Sequence, residues 1–186
     1  MGIPFHIHES SVEPRGFIIS NQSEPVCLIV DPGTNLDWCM QIIQSHQLRA
    51  VGILLTSGNL KVAARVAEIS AALSCPVYCH TDALLELQRL PKEARESGLC
   101  GVKIPKIHTF VRDSECLTLE GFEVAVLESP STNIPKKIAY RIGDNVFVGQ
   151  NIDAMKSLLC SNQRVFPASG KPFHFDELFG ENNEMK

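Results

Sequence analysis

The sequence predicts one mixed α/β domain. Through residues 26–90, short apolar runs rich in β-branched residues alternate with segments whose apolar positions recur at the helical period. From residue 108 onward the pattern changes to closely spaced short strands with hairpin turns between them. A chain of 186 residues with 44% hydrophobic content is long enough to bury a proper core without dividing into two domains.

Residues 16–20 and 26–30 read as strands joined by the turn Asn21-Gln22-Ser23-Glu24-Pro25, a hairpin. Asp31-Pro32-Gly33 ends the second strand, with Gly33 free to take positive φ. Thr34 or Asn35 then caps a helix carrying Leu36, Cys39, Ile42, Ile43 and His46. The run 50–55 is a central strand, apolar throughout. Asn59 is placed to cap a helix over 60–74, in which Leu60, Val62, Ala63, Val66, Ile69 and Leu73 share a face. A strand at 76–79 and a short helix at 82–90, stopped by Pro91, complete this half, and the polar stretch 92–106 reads as loop. Strand–helix alternation of this kind implies parallel strands with helices packed on them. In the second half, strands are expected at 108–111, 115–119 and 122–127, with a turn at Glu120-Gly121. A hairpin follows at 137–142 and 145–148 around Gly143-Asp144, then a helix at 153–159 and a strand at 164–166. Residues 171–186 read as a polar tail, flexible in part, and no internal repeat or low-complexity segment interrupts the domain.

Composition narrows the function classes. A net charge of −4 offers no basic footprint for nucleic acid. No apolar run approaches the roughly 20 residues of a membrane span, and residues 1–9 lack the basic and apolar regions of a secretory signal. The seven scattered cysteines read as reduced core thiols and not as a disulfide frame, and Cys75-x-x-x-Cys79 has no second pair to make a zinc knuckle. The expected location is cytoplasmic.

The junction Leu55-Thr56-Ser57-Gly58-Asn59-Leu60-Lys61-Val62 lies between a buried strand and an amphipathic helix. There the chain resembles the metallo-β-lactamase fold superfamily, nearest in character to its glyoxalase II-like members. In that superfamily the junction reads Thr-His-x-His-x-Asp-His, and the His and Asp residues bind one or two metal ions. Here Thr56 persists, while the ligand positions hold Ser57, Asn59, Lys61 and Val62. A strand ending in Asp31-Pro32-Gly33 is another superfamily feature kept intact. In the loop 128–136, Pro130 matches but the ligand His falls on Thr132. Phe147-Val148-Gly149-Gln150 keeps the Phe and Gly of a motif whose metal-bridging Asp is replaced by Gln150. Pro167-Ala168-Ser169-Gly170 puts Ser169 at the last His position. The resemblance spans most of 13–170. It implies an αββα four-layer sandwich of metallo-β-lactamase type, two mixed sheets flanked by helices. It leaves no room for the extra helical domain with which glyoxalase II binds glutathione thioesters.

Zinc chemistry requires imidazole, thiolate or carboxylate donors. Neutral hydroxyl and amide oxygens bind zinc poorly, Val62 has no donor, and Lys61 brings a cation to a position that should face a dication. The expectation is therefore a chain without metal or other cofactor at these positions, non-catalytic, acting as an interaction or regulatory module with a protein partner or a second copy of itself. Two alternatives stand beside it: a thioester or other ester hydrolase with an atypical or relocated site, and a small-molecule binder using the vestigial cleft. A Ser57–Lys61 pair, with Lys61 as base, is one form the first would take. The helix N-terminus capped by Asn59 is also a place for a small anion. His6-x-His8 puts two imidazoles on one strand face, half of a metal site, with Glu9 and His108 as conceivable companions; surface histidines are the simpler reading. His80 follows a strand at a position the superfamily does not use for metal, and His174-x-Asp176 lies in the tail.

Overall fold

A computed structural model describes residues 5–130, 136–150 and 152–179, with no account of the Leu178 and Phe179 side chains. Two six-stranded sheets face each other across a buried layer. The first runs β1 (Phe5–Glu9), β2 (Phe17–Asn21), β3 (Val26–Val30), β4 (Arg49–Leu55), β5 (Val77–His80) and β6 (Thr109–Val111), adjacent in space as in sequence. β1, β2 and β3 are antiparallel, whereas β3 to β6 are parallel. The second sheet has the order β12 (Phe173–His174), β11 (Arg164–Pro167), β10 (Asn145–Gly149), β9 (Ile138–Ile142), β8 (Phe122–Glu128) and β7 (Cys116–Leu119). Its pairs are antiparallel apart from β10–β11. The helices are α1 (Leu36–Ser45), α2 (Leu60–Ala63), α3 (Val66–Leu73), α4 (Leu84–Glu96), α5 (Ile152–Met155) and α6 (Phe175–Phe179).

The period-two alternation of a strand divides the core into layers. Ile18, Cys27, Ile29, Ile53 and Leu55 point outward against Cys39, Val62, Val66 and Leu87 of the helices. Their neighbours Phe17, Ile19, Leu28, Val30 and Leu54 point inward, onto Val124, Val126, Tyr140, Phe147 and Phe166 of the second sheet. Ala139, Val146, Val148 and Val165 turn to the far side, against Met155 and Leu159. This is the four-layer αββα arrangement, and strands buried on both faces explain the uninterrupted apolar runs of β2, β3 and β4. No helix among the described residues is long and apolar enough to cross a membrane.

Three local expectations need correction. The helix predicted over 60–74 is broken after Ala63, and a second begins at Val66. The cause is Gly33, whose N–H donates to the Val62 carbonyl and whose carbonyl accepts from the Arg65 N–H, so Arg65 bonds outside the helix. Pro91 does not stop α4, which continues to Glu96. Leu87, Leu90 and Ala94 bury one face on both sides of the proline, and that packing outweighs the roughly 3 kcal/mol of an interior proline. Within the tail, Phe173–His174 form β12 and Phe175–Phe179 form α6: Arg164 pairs with His174 and Val165 with Phe173, and Phe173 and Phe175 pack on the outer layer of the second sheet. Finally, Asn35 precedes α1 without capping it, because its side-chain amide donates to the Pro32 carbonyl. The cysteines divide: Cys27, Cys39, Cys75 and Cys79 are buried, while Cys100, Cys116 and Cys160 are exposed, all as free thiols.

Candidate functional site

The fragments that stood apart in the sequence meet at one end of the sandwich, where β3, β4 and β10 finish. Asp31 directly follows β3 with φ of 47° and is buried. Its Oδ1 accepts the Thr56 N–H at 2.8 Å, and its Oδ2 accepts the Thr56 hydroxyl at 2.5 Å. Burial pushes its pKa up to about 6, against the pull of the two Thr56 hydrogen bonds. Gly149, at φ of 60°, completes the knot: a Cβ there would lie 2.3 Å from Thr56 Oγ1 and 3.4 Å from Asp31 Oδ2. Glycine is required at this position for both backbone and space. Behind Thr56 the buried Tyr140 hydroxyl donates to the Leu55 carbonyl at 3.0 Å, and burial, then Cys79 and Asp31, raise its pKa well above the ordinary phenol range.

Ser57, next in the chain, lines a cavity of about 10 Å³ with His80, Glu86 and Lys136, no more than the space of one water molecule. Its Oγ is buried and has no hydrogen-bond partner among the described residues. The surrounding polar groups are committed to one another. Glu86 Oε2 accepts the Gly58 N–H at 2.7 Å. His80 Nδ1 accepts the Asp82 N–H at 3.2 Å. That bond assigns the His80 proton to Nε2, which faces Glu128 Oε2 at 3.3 Å. Lys136 Nζ lies 2.9 Å from Glu128 Oε1, and its N–H donates to Asp82 Oδ2 at 3.0 Å. With both ring nitrogens engaged, His80 is not available as a base for Ser57.

The other positions marked by the sequence divide among three places. Asn59 Oδ1 accepts the Val62 N–H at 3.2 Å, the cap expected of it. Asn59, the exposed Lys61 and Gln150 line one open groove of about 390 Å³ together with Glu93, Glu96 and Ser97. Val62 is in the core, 1% exposed. Ser169 sits exposed in the turn after β11, and Thr132 lies outside the described residues. Ser57 and Lys61 thus line different cavities, and no hydrogen bond joins them. Sequence reasoning did not anticipate the roles of Asp31, Glu86, Glu128 and Lys136. In the sequence Asp31 stands out as part of a strand-ending turn shared with the superfamily, with no sign of its bonds to Thr56, and Glu86, Glu128 and Lys136 carry no periodic signal.

These residues do not fit a catalytic metal. The described ligand positions supply hydroxyls, amides, an ammonium and a buried isopropyl group, none a good zinc donor. Asp31, the one carboxylate in the knot, has an oxygen engaged by each of the two Thr56 donors. Among the described residues no three His, Cys, Asp or Glu side chains form a ready-made cage for an ion.

No family model matches the sequence, and no curated protein matches it. The architecture nevertheless defines its class, the metallo-β-lactamase fold. The B3 metallo-β-lactamase BLEG-1 superposes with a TM-score of 0.80 at 17% identity, covering 96% of this chain and 98% of that one. TTHA1623, solved in a di-iron-bound form, gives 0.74 at 22% identity over 95% and 98%. ETHE1 from Myxococcus xanthus gives 0.70 at 14% identity over 97% and 83%. Identities this low carry the fold and leave the chemistry to the residues present.

Proposed function

We propose that this chain is a non-hydrolytic protein of metallo-β-lactamase fold that acts through contact with another protein. The observation that carries the first part is the filled end of the sandwich. Where the resemblance places a metal and a bound substrate, Ser57 opens onto about 10 Å³, Val62 is packed in the core, and Glu128, Lys136, Asp82 and His80 are bonded to each other. Asn59, Lys61 and Gln150 line an open groove of about 390 Å³, but hydrolysis also needs an activated nucleophile, and Ser57 lies in the other, small cavity with no base bonded to it among the described residues. Support for a contact role comes from the start of α4 beside this end, where Leu84 and Leu85 are 38% and 62% exposed. The adjoining apolar side chains favour a partner that covers them with apolar groups of its own.

The test is turnover of thioester, β-lactam and phosphodiester substrates by the purified chain, with zinc, iron or manganese added in turn. The expected result is background hydrolysis, unchanged by Ser57→Ala or Lys61→Ala. Turnover that either substitution abolishes overturns the reading. Sedimentation of the wild type and of Leu85→Lys then distinguishes a second copy from a different protein as the partner: a dimer that Leu85→Lys dissociates identifies self-association. The open groove lined by Asn59, Lys61 and Gln150 favours a second reading, a small polar ligand held between Lys61 and the Glu93 and Glu96 carboxylates. A zwitterion is the class that such opposed charges suit.

A further inference from the structure

Residues 101–108 lead into β6 without regular structure, and together with α3 they wall a cavity of about 460 Å³. Val66 and Ile69 of α3 are in the core. Its other face, with Ala67, Ser70, Ala71 and the C-cap Ser74, lines the cavity, and these small side chains leave it open. Lys103, Lys106, His108 and Ile104 complete the lining. Pro105 between the two lysines is buried, so both side chains leave from a restricted piece of backbone. His108 is held twice: its N–H donates to the Val77 carbonyl at 2.9 Å, and its Nδ1 accepts the Val77 N–H at 3.0 Å. The second bond puts the imidazole proton on Nε2, which is thereby a donor. His108 thus stands apart from His6 and His8, its conceivable companions in the sequence. Those two pack with His46, the ring centroids of His6 and His8 being 4.4 Å apart and those of His8 and His46 4.6 Å. Burial, then His6 and His46, hold His8 down to about 4.

We propose that the cavity beside α3 binds a small phosphomonoester, with Lys103 and Lys106 as counter-charges to its phosphoryl group and the His108 Nε2–H as a hydrogen-bond donor to it. Charge balance is the first support. No carboxylate lines the cavity, and neither lysine has an ion-pair or hydrogen-bond partner among the described residues. Lys92, Lys136 and Lys156, by contrast, each face an acidic side chain. Two unneutralised cations on one cavity, in a chain of net charge −4, make a local field opposite in sign to that of the whole molecule. Donor type is the second support, because phosphoryl oxygens accept from ammonium and N–H groups in charge-assisted hydrogen bonds. Size and polarity are the third. The volume lies in the range of small-molecule sites, about 300–1,000 Å³. It exceeds the needs of a lone phosphate, and Ala67, Ala71 and the 49% exposed Ile104 offer apolar surface to the esterified part. Ser74 and Cys75 precede β5, whereas Thr56 follows the end of its parallel neighbour β4, so this cavity and the Asp31–Thr56 knot lie at opposite ends of the sheet.

The proposal is tested on the full-length protein at neutral pH and low ionic strength by amide NMR, with phenyl phosphate, inorganic phosphate and phenol as probes. The expected result is saturable shifts of the amides of residues 70–75 and 103–108. Phenyl phosphate should bind more tightly than inorganic phosphate, phenol should have no effect, and added salt should weaken binding. Lys103→Gln and Lys106→Gln should each weaken binding roughly threefold to tenfold, and the double variant should abolish it. Both lysines are exposed, and the ligand-free spectrum of each variant verifies that it is folded. Lys171→Gln, an equal loss of charge beyond β11, should leave the affinity unchanged. No saturable shift with phenyl phosphate, shifts confined to other residues, or equal affinity in the folded double variant overturns the proposal. So does a loss in Lys171→Gln as large as in the other lysine variants, and inorganic phosphate binding as tightly as phenyl phosphate overturns the assignment of an ester. Ser57, Lys61 and Leu85 are untouched by these variants, so the result is independent of whether the opposite end is catalytically silent.

Discussion

Replacing Asp31 with asparagine exposes what the knot contributes to stability. In the folded chain the carboxyl is buried and its pKa stands at about 6 against an ordinary 3.8. The folded state therefore holds the proton more tightly than the unfolded state does. The contribution is most favourable below the unfolded value, where both states are protonated, and it is lost as pH rises through about 6. At about 1.4 kcal/mol per unit, the rise from 3.8 to about 6 makes the ionised carboxylate cost the fold about 3 kcal/mol at pH 8 relative to pH 3. Asparagine keeps the size and one carbonyl acceptor, which can take the Thr56 N–H, but has no proton to lose in this range. It does forfeit the 2.5 Å bond from the Thr56 hydroxyl, a cost of about 1–2 kcal/mol at every pH. Denaturant unfolding of wild type and Asp31→Asn at intervals from pH 4.5 to 8 should give curves that converge or cross as pH rises. The wild type leads at the acid end and loses that lead above pH 6. Parallel curves across the range would refute the assignment of a buried, proton-retaining carboxyl.

Gly149→Ala should be destabilising by about 2–4 kcal/mol in the same assay, since it places a Cβ 2.3 Å from Thr56 Oγ1 on backbone at φ of 60°; a change under about 0.5 kcal/mol would show that the turn relaxes freely. Ser57→Ala should be neutral or stabilising by up to about 1 kcal/mol, because it removes a buried hydroxyl with no partner among the described residues. A clear loss of stability would reveal a bonded Oγ. His8 gives a pH dependence opposite in sign to that of Asp31. Its pKa of about 4 lies below the ordinary 6.5, so its contribution is intact above pH 6.5 and is lost as pH falls toward about 4. The ring resonances of His8, followed by NMR, should titrate near 4, and a midpoint near 6.5 would place the ring in open solvent.

How much of this was legible in the sequence follows from the range over which each signal acts. The strands β2, β3, β4, β8, β9 and β10 were readable because each is an apolar or alternating run whose burial is written in its own residues. Asn59 was readable as a cap because capping is a contact over three residues. The break between α2 and α3 was not, since it is made by Gly33, far off in the chain. The course of α4 through Pro91 depends equally on a buried face that local proline chemistry does not report. At the site, the motif fragments gave the positions of Ser57, Asn59, Lys61 and Gln150 but not their grouping. That grouping depends on side-chain direction at a helix start, which divides Ser57 from Asn59 and Lys61. The ion pairs joining Glu128 to Lys136 and His80 come from residues with no shared spacing. His46 could not be matched to His6 and His8 before the antiparallel register of β1 on β2 and the end of α1 were known.

Asp31-Pro32-Gly33, Thr56 and Gly149, the features that carry the resemblance, have a physical role in what each group touches. Asp31, Thr56 and Gly149 touch one another and join the ends of strands from both sheets. Gly33 joins the loop after β3 to the start of the helical layer through two backbone hydrogen bonds. None of these bonds involves a ligand position other than Val62, which takes part through its backbone carbonyl alone and so places no demand on side-chain identity. Ligand side chains can therefore change without loosening the frame. Positive charge among the loop carboxylates at this end is supplied by the Lys136 ammonium against Glu128 and the Lys136 N–H against Asp82. Lys136 is on these contacts a structural cation. Lys136→Met should then destabilise the fold by about 1–3 kcal/mol by leaving Oε1 of a poorly exposed Glu128 without the ammonium, with only His80 still facing Oε2. The double substitution Lys136→Met with Glu128→Gln should recover most of that loss. A double variant no more stable than the single one would show that the two side chains act separately and that the loops at this end are held by their backbones alone.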